Sequence, residues 1–159
     1  MNEIRTETAA EYGATADDKI LEQAKTIIAK RMQKGQQLSS PSATKDYFMH
    51  HSALLEHEVF MMITLTIHNC IIKTHRVASG TISSGVIHSR EVVKTALRDN
   101  AANVIFGHNH PSGNNEISSA DKQITNKLKS VLSLIDINVL DHIIIGGAEA
   151  VSFSDIGEI

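Results

Sequence analysis

The sequence is poor in cysteine and in aromatic residues. Cys70 is the one cysteine among 159 residues, tryptophan is absent, and aromatic side chains make up 4% of the chain. A lone thiol excludes a disulfide framework and every zinc site built from several cysteines, so we expect Cys70 to be reduced and partly buried. Any metal ion must then be bound through nitrogen and oxygen.

Long hydrophobic runs and a strong excess of one charge are also missing. No apolar run reaches the roughly 18–20 residues of a membrane helix, and the N-terminus has no apolar signal-peptide core. The 15 basic and 18 acidic residues give a formal charge of −3, which does not favour sequence-independent DNA binding. We therefore expect a cytoplasmic protein without a membrane partner.

The chain has enough apolar sequence for one folded domain. Hydrophobic residues make up 42% of it, and a chain of this length buries roughly two thirds of its unfolded surface. We expect residues 1–37 to form a polar N-terminus and an amphipathic lead helix, Asp17–Met32, and residues 38–159 to form the domain.

Apolar periodicity and turn residues predict the order of elements in residues 38–159. They predict a helix, a hairpin, a short strand, a helix, a strand, a helix and three strands. In chain order these are Ser42–Leu55, Glu58–Ile67, Cys70–Ala78, Gly85–His88, Arg90–Asp99, Ala102–Phe106, a helix that begins at Ser118 and Ser119, Ile137–Leu140, Ile143–Ile145 and Ala150–Phe153. Ser89 is the expected cap of the second of these helices, with Leu97 on its inner face. The mixed order predicts an α/β or α+β class with a mixed sheet.

The segment that indicates chemistry is Gly107–Asp121. It reads His-x-His, seven residues, Ser, two residues, Asp. Residues two apart on an extended segment point to the same side, so His108 and His110 can present two imidazoles to one point. Ser118 and Asp121 lie three apart on one face of the next helix, where a carboxylate completes a His₂Asp set.

Three protein ligands and a water are typical of a catalytic zinc site, so we expect one zinc ion per chain. A general base must come from elsewhere in the chain. Glu58, at the head of the first hairpin strand, is the candidate, and its neighbours Glu56 and His57 are its rivals. A shuffled chain of this composition would contain the motif with a probability of roughly two in a thousand.

Each motif residue also has an ordinary structural interpretation. His108 and His110 could be loop histidines in simple hydrogen bonds, and Ser118 could be a helix cap, a role that can coexist with catalysis. Asn109 is expected to stabilise a turn, and His142 to make a hydrogen bond at a strand end, outside the site. An intact metal site can also serve binding or regulation rather than catalysis.

The motif, with its upstream Glu, resembles the JAMM motif of the MPN/JAB metalloprotease family. His108–Gly113 is similar to the version in RadC-like proteins, and the likeness extends from about residue 38 to residue 159, including Arg90–Val93 and Asp141–Ile145. The resemblance implies a JAB/MPN-like, cytidine deaminase-like fold, in which helices flank a mixed β-sheet.

The resemblance also implies a role for each residue of the motif. His108, His110 and Asp121 would bind zinc, Ser118 would donate a hydrogen bond to the oxyanion, and Glu58 would bind and deprotonate the metal's water. The implied activity is that of a zinc-dependent metallopeptidase of the JAMM type, which attacks a peptide or isopeptide bond in a protein or peptide substrate.

The sequence departs from the RadC-like pattern in two respects. The first 37 residues contain no helix-hairpin-helix signature, so we expect a short form without that region. Ile117 and Ser89 stand where proline is common. The alternative function is that of a DNA repair or replication accessory protein without proteolytic activity, which binds DNA or a repair protein. The charge does not support DNA as the partner, and the substrate and oligomeric state stay open.

Overall fold

The computed structural model describes residues 16–31, 35–52, 55–80 and 87–159, without the side chains of residues 28–31. The chain divides into two compact units, Met1–Arg31 and Met32–Ile159. The first contains helix α1, Ala16–Arg31, within one residue of the expected lead helix at both ends. The boundary expected after residue 37 stays a prediction.

The described part of Met32–Ile159 is a five-stranded mixed sheet with three helices. The elements are α2 (Pro41–Ser52), β1 (Val59–Leu65), β2 (Ile71–Ser79), α3 (Ser89–Arg98), β3 (Asn103–His110), α4 (Ser119–Ser133), β4 (Asn138–Gly146) and β5 (Glu149–Ser152). The strand order is β2-β1-β3-β4-β5, with β3 and β4 parallel and the other pairs antiparallel. The predicted class is confirmed, and the arrangement is consistent with a JAB/MPN-like fold.

The central strands are covered on both faces, which explains why they are almost continuously apolar. On one face Phe60 and Phe106 pack with α3 and α4. On the other face Met61 and Ile105 pack with Phe48 of α2. Because successive strand residues point to opposite faces, β3 can serve a different purpose on each side of the sheet.

Two strands differ from the prediction. β3 continues through His110, so the two motif histidines lie on the strand itself, whereas the strand was expected to end at Phe106. β4 is one strand where two were expected, because the polar pair Asp141 and His142 interrupted the apolar pattern. Both residues are buried, and the carboxylate of Asp141 accepts hydrogen bonds from Ser152 and from backbone amides.

Helix α3 corrects two details. Its cap residue is His88, without a side-chain cap hydrogen bond, so the prediction of Ser89 as the cap was wrong. Leu97 was expected to face inwards but is 56% exposed, whereas Val92 and Ala96 are buried. Val92 and Ala96 lie four apart on one face, and Leu97 lies about 100° further round the helix.

Gly85 and Val86 of the predicted strand Gly85–His88 lie outside the described residues, whereas Ile87 and His88 are described and do not form a strand, because they lead directly into α3. Among the helices that are described, none combines the length and apolar character of a membrane span.

Candidate metal centre

The motif histidines lie together at the carboxyl end of β3, on the face that α4 covers. The Nε2 atoms of His108 and His110 are 2.9 Å apart. Glu58 directly precedes β1, whose residue Phe60 pairs with His108 in the antiparallel register. One carboxylate oxygen of Glu58 and one ring nitrogen of each histidine all lie within 4.8 Å of one another.

The structure also separates Glu58 from its two rivals. The side chains of Glu56 and His57 are exposed, whereas Glu58 is half-buried beside the histidines. Side chains alternate along a strand, so Glu58 shares one face of the sheet with Phe60, which lies two residues further on and pairs with His108.

Asp121 reaches the same cluster from the first turn of α4. Its Oδ1 atom lies 3.1 Å from Nε2 of His108. Its Oδ2 atom accepts hydrogen bonds from the backbone N–H and the hydroxyl of Ser118, at 2.8 and 2.7 Å. The helix start therefore fixes the carboxylate in one orientation and directs one oxygen towards His108.

Ser118 is the cap of α4. Its Oγ atom accepts a hydrogen bond from the backbone N–H of Asp121, and together the two residues form a reciprocal capping box. The hydroxyl hydrogen is directed to Asp121, so donation to an oxyanion requires this hydroxyl to turn. That catalytic role stays a prediction.

The surroundings of Asp121 favour its ionised form. Burial raises the pKa of this carboxyl group, but the adjacent His108 ring and the hydrogen bonds from Ser118 outweigh burial, so the pKa is well below its ordinary value. A buried, ionised carboxylate needs cationic or hydrogen-bonding partners; Ser118 satisfies Oδ2 of Asp121, and Oδ1 faces His108.

The cluster is a set of converging acceptors. Nδ1 of His110 lies 2.7 Å from the backbone carbonyl oxygen of Asn114. A carbonyl can only accept, so Nδ1 carries a proton, and in the neutral form of the ring a bare Nε2 faces His108. Acceptor atoms this close repel one another unless a cation lies between them, so the donor set fits a metal ion held by nitrogen and oxygen.

Gly146 of β4 allows the loop after β3 to supply the carbonyl of Asn114. A Cβ atom at Gly146 would lie 2.5 Å from backbone atoms of Asn114 and Asn115. Backbone cannot move aside as cheaply as a flexible side chain. Glycine at position 146 therefore leaves room for the Asn114 carbonyl, which accepts the hydrogen bond that orients His110.

A cavity of about 390 Å³ opens beside His110. Apolar side chains that line it include Met49, Leu55 and Ile145. A larger cavity of about 730 Å³ lies between α3 and α4, and none of its lining residues belongs to the acceptor cluster. Of these two cavities, the smaller one is therefore the one next to the cluster, through His110.

Sequence reasoning missed one residue beside the cluster. His142, which we expected to lie outside the site, is fully buried, and its Nε2 atom lies 2.9 Å from Nδ1 of His108. The available signal was the interruption of an apolar strand by Asp141 and His142, because a polar residue inside a buried strand needs a specific partner.

Comparison with known proteins gives a consistent result. The profile of the RadC-like JAB domain family matches residues 38–158. The chain is 49% identical over 138 residues to a UPF0758 protein of Pseudoalteromonas translucida and 44% identical over 140 residues to one of Thiobacillus denitrificans. It is 43% identical over 141 residues to a UPF0758 protein of Vibrio cholerae serotype O1.

These alignments cover 87%, 88% and 89% of the chain, in the same order. They cover 62% of the length of the first two relatives and 89% of the third. The chain thus spans about three fifths of the first two relatives. The names of all three state no activity.

Proposed function

The chain belongs to the RadC-like JAB domain family, and from this membership we propose that it is a zinc-dependent hydrolase of the JAMM type, which cleaves a peptide or isopeptide bond. The observation that carries the proposal is the cluster of Glu58 and two imidazole nitrogens at one end of the sheet, with Asp121 lying 3.1 Å from one of these nitrogens. The substrate in this proposal is a protein or a peptide.

We assign His108, His110 and Asp121 as the residues that hold one zinc ion per chain. Asp121 is buried and held by Ser118, which suits a ligand whose position must not change. When bound in such a site, zinc supplies Lewis acidity, which polarises a carbonyl oxygen and lowers the pKa of water to about 7.

Glu58 takes the proton from the attacking water and delivers it to the leaving amine. Its carboxylate is half-buried and lies within 4.8 Å of the histidine nitrogens, so it can reach both the cluster and solvent. A general base must lie within hydrogen-bond reach of the proton that it accepts, and the position of Glu58 beside the histidines at the start of β1 supports this role.

The cavity beside His110 would receive part of the substrate. Its lining by Met49, Leu55 and Ile145 suits an apolar side chain next to the scissile bond. Ser118 would stabilise the oxyanion by turning its hydroxyl away from Asp121.

The experiment measures bound zinc by mass spectrometry and hydrolysis of a pool of fluorogenic peptide and lysine-isopeptide amides. Asp121→Ala should lose the metal. Glu58→Gln should keep it but lose hydrolysis at least a hundredfold, within the range of about 10²–10⁴ for general acid-base groups. Glu56→Gln, an exposed neighbouring carboxylate, is the matched control and should change neither measurement.

Two results would contradict parts of the proposal. Full zinc occupancy in Asp121→Ala together with loss of zinc in Glu58→Gln would exchange the roles of the two carboxylates. A zinc-loaded wild-type protein that hydrolyses none of the pool would contradict the peptidase activity.

A further inference from the structure

Two buried polar residues beside the acceptor cluster have no part in the proposed reaction. His142 of β4 is fully buried and Thr125 of α4 is 1% exposed. Nδ1 of His142 lies 2.6 Å from Oγ1 of Thr125, and Nε2 of His142 lies 2.9 Å from Nδ1 of His108. A continuous row of hydrogen bonds thus leads from α4 across β4 to His108 on β3.

The direction of each hydrogen bond in this row follows from one carbonyl group. Oγ1 of Thr125 lies 2.6 Å from the backbone carbonyl oxygen of Asp121, which can only accept, so the threonine hydroxyl donates its single hydrogen there. That hydroxyl can then only accept from His142. Nδ1 of His142 therefore carries a proton.

The second nitrogen of His142 is then an acceptor. The ring is fully buried, and neither of its hydrogen-bond partners, Thr125 and His108, is an anion, so this environment favours the neutral imidazole. A neutral imidazole with its proton on Nδ1 has a bare Nε2, which accepts a hydrogen bond from Nδ1 of His108.

The same reasoning fixes His108. Because its Nδ1–H donates to His142, a neutral His108 presents its lone pair on Nε2, the atom that lies 3.1 Å from Asp121 and 2.9 Å from His110. The opposite tautomer would direct an N–H into the cluster and leave two lone pairs facing each other between His108 and His142.

We propose that Thr125 and His142 are positioning residues that hold His108 in the tautomer and ring orientation in which Nε2 binds the metal. The inference rests on the proposed metal centre and deepens it. Second partners of metal-bound histidines generally act in this way, and their loss weakens metal affinity about 10–100-fold.

Packing around His142 supports a fixed ring rather than a mobile one. The Phe153 ring stacks on it at a centroid distance of 4.9 Å, and the rings of Phe60 and Phe106 meet it edge-on at 5.3 and 6.3 Å. An apolar residue would fill this space without the desolvation that a buried imidazole costs. The two hydrogen bonds of His142, to Thr125 and His108, therefore explain why a polar ring occupies this apolar space.

The experiment compares three variants by zinc competition titration and by long-range ¹H–¹⁵N spectra of the imidazole rings. Thr125→Val removes the hydroxyl and keeps the shape, and it should weaken zinc binding about tenfold. Thr125→Ser keeps the hydroxyl and should restore the affinity. Thr64→Val removes a fully buried threonine of β1 that bonds to Asp99 rather than to the cluster, and it should leave zinc affinity unchanged.

In the wild-type protein, the spectra should show His142 protonated at Nδ1 alone, with a bare Nε2. A proton on Nε2 of His142, or wild-type zinc affinity in Thr125→Val, would overturn the inference while leaving the metal centre intact. Absence of zinc binding by the wild-type protein would instead overturn the proposed function. If Thr125→Val does not fold, the wild-type spectrum alone decides between the two tautomers.

Discussion

At the residue scale, Asn109 shows how one strand serves both faces of the sheet. It lies between the two motif histidines and points to the opposite side, where its Oδ1 atom accepts from the backbone N–H of Val59 at 2.9 Å. Its Nδ2 atom donates to the carbonyl of His57 at 3.0 Å. One side chain therefore holds the backbone on both sides of Glu58.

We expect Asn109→Ala to lower the free energy of unfolding by about 1–3 kcal/mol, because it leaves the buried N–H of Val59 without its acceptor. Urea unfolding monitored by circular dichroism measures this loss. Asn126→Ala, on an exposed position of α4, is the control and should change stability by less than about 0.5 kcal/mol. Equal stability of the two variants would show that Asn109 does not hold the start of β1.

The roles of Asn109 and His142 show what the sequence could and could not predict about the site. Spacing alone was enough to nominate His108 and His110, because residues two apart share a side of any extended segment. Asn109 was expected to stabilise a turn and His142 to lie outside the site. Their partners lie 50 and 34 residues away along the chain, and only the pairing of strands brings them together.

At the element scale, the loop between β3 and α4 depends on a close approach to β4. The loop backbone passes over Gly146, and the carbonyl of Asn114 in this loop accepts from Nδ1 of His110. The orientation of the His110 ring therefore depends on Gly146, although Gly146 has no side chain that could contact the ring.

We expect Gly146→Ala to weaken zinc binding about tenfold, because the added methyl group displaces the loop that orients His110. Gly157→Ala is the control. It places alanine at a φ of 74° with nothing within 4 Å of the added Cβ, so it strains the backbone without displacing another segment. Isothermal titration with zinc compares them, and equal affinities would contradict the role of the loop.

A second inter-element contact joins α3 to the first hairpin. The carboxylate of Asp99, which ends α3, accepts from Oγ1 of Thr64 on β1 at 2.7 Å and contacts Nε2 of His75 on β2 at 2.5 Å. Burial raises the pKa of Asp99, but these two hydrogen bonds and the charges of His75 and Arg98 outweigh it and lower the pKa.

The lowered pKa gives this contact a pH dependence. The ionised carboxylate stabilises the fold at every pH above the unfolded pKa, about 3.9, and this contribution is lost as the pH falls through the folded pKa. Asp99→Asn should therefore be less stable than wild type at pH 6, by an amount that shrinks below about pH 3.9. Chemical denaturation across this pH range measures it.

Glu91→Gln, exposed on the same helix, provides the comparison for Asp99→Asn and should show no such trend. A stability difference between Asp99→Asn and wild type that stays constant from pH 6 down to about pH 3 would contradict the pKa shift.

The helices and strands were predictable to the extent that burial follows a simple period. The apolar run of β1 and the capped start of α4 both stand out in the sequence. The sequence pattern failed where tertiary contacts override it. β4 keeps a buried Asp141 because Ser152 and two backbone amides satisfy its carboxylate.

At the scale of the whole molecule, the strand order brings together residues from distant parts of the chain. Glu58 lies at the start of β1, the histidines at the end of β3 and Asp121 at the start of α4. β1 pairs antiparallel with β3, and α4 forms the crossover to the parallel strand β4. This arrangement brings Glu58, the two histidines and Asp121 to the same end of the sheet. The periodicity of apolar residues predicts the helices and strands, but it does not predict which strands pair.

The metal centre is tested most directly by the zinc K-edge X-ray absorption spectrum of the protein loaded with one equivalent of zinc. We expect two imidazole ligands at about 2.0–2.1 Å, with oxygen atoms in the remaining positions. His108→Ala should lower the zinc occupancy and remove one imidazole. A sulfur ligand at about 2.3 Å, which only Cys70 or a methionine could supply, or a spectrum without imidazole, would contradict the centre.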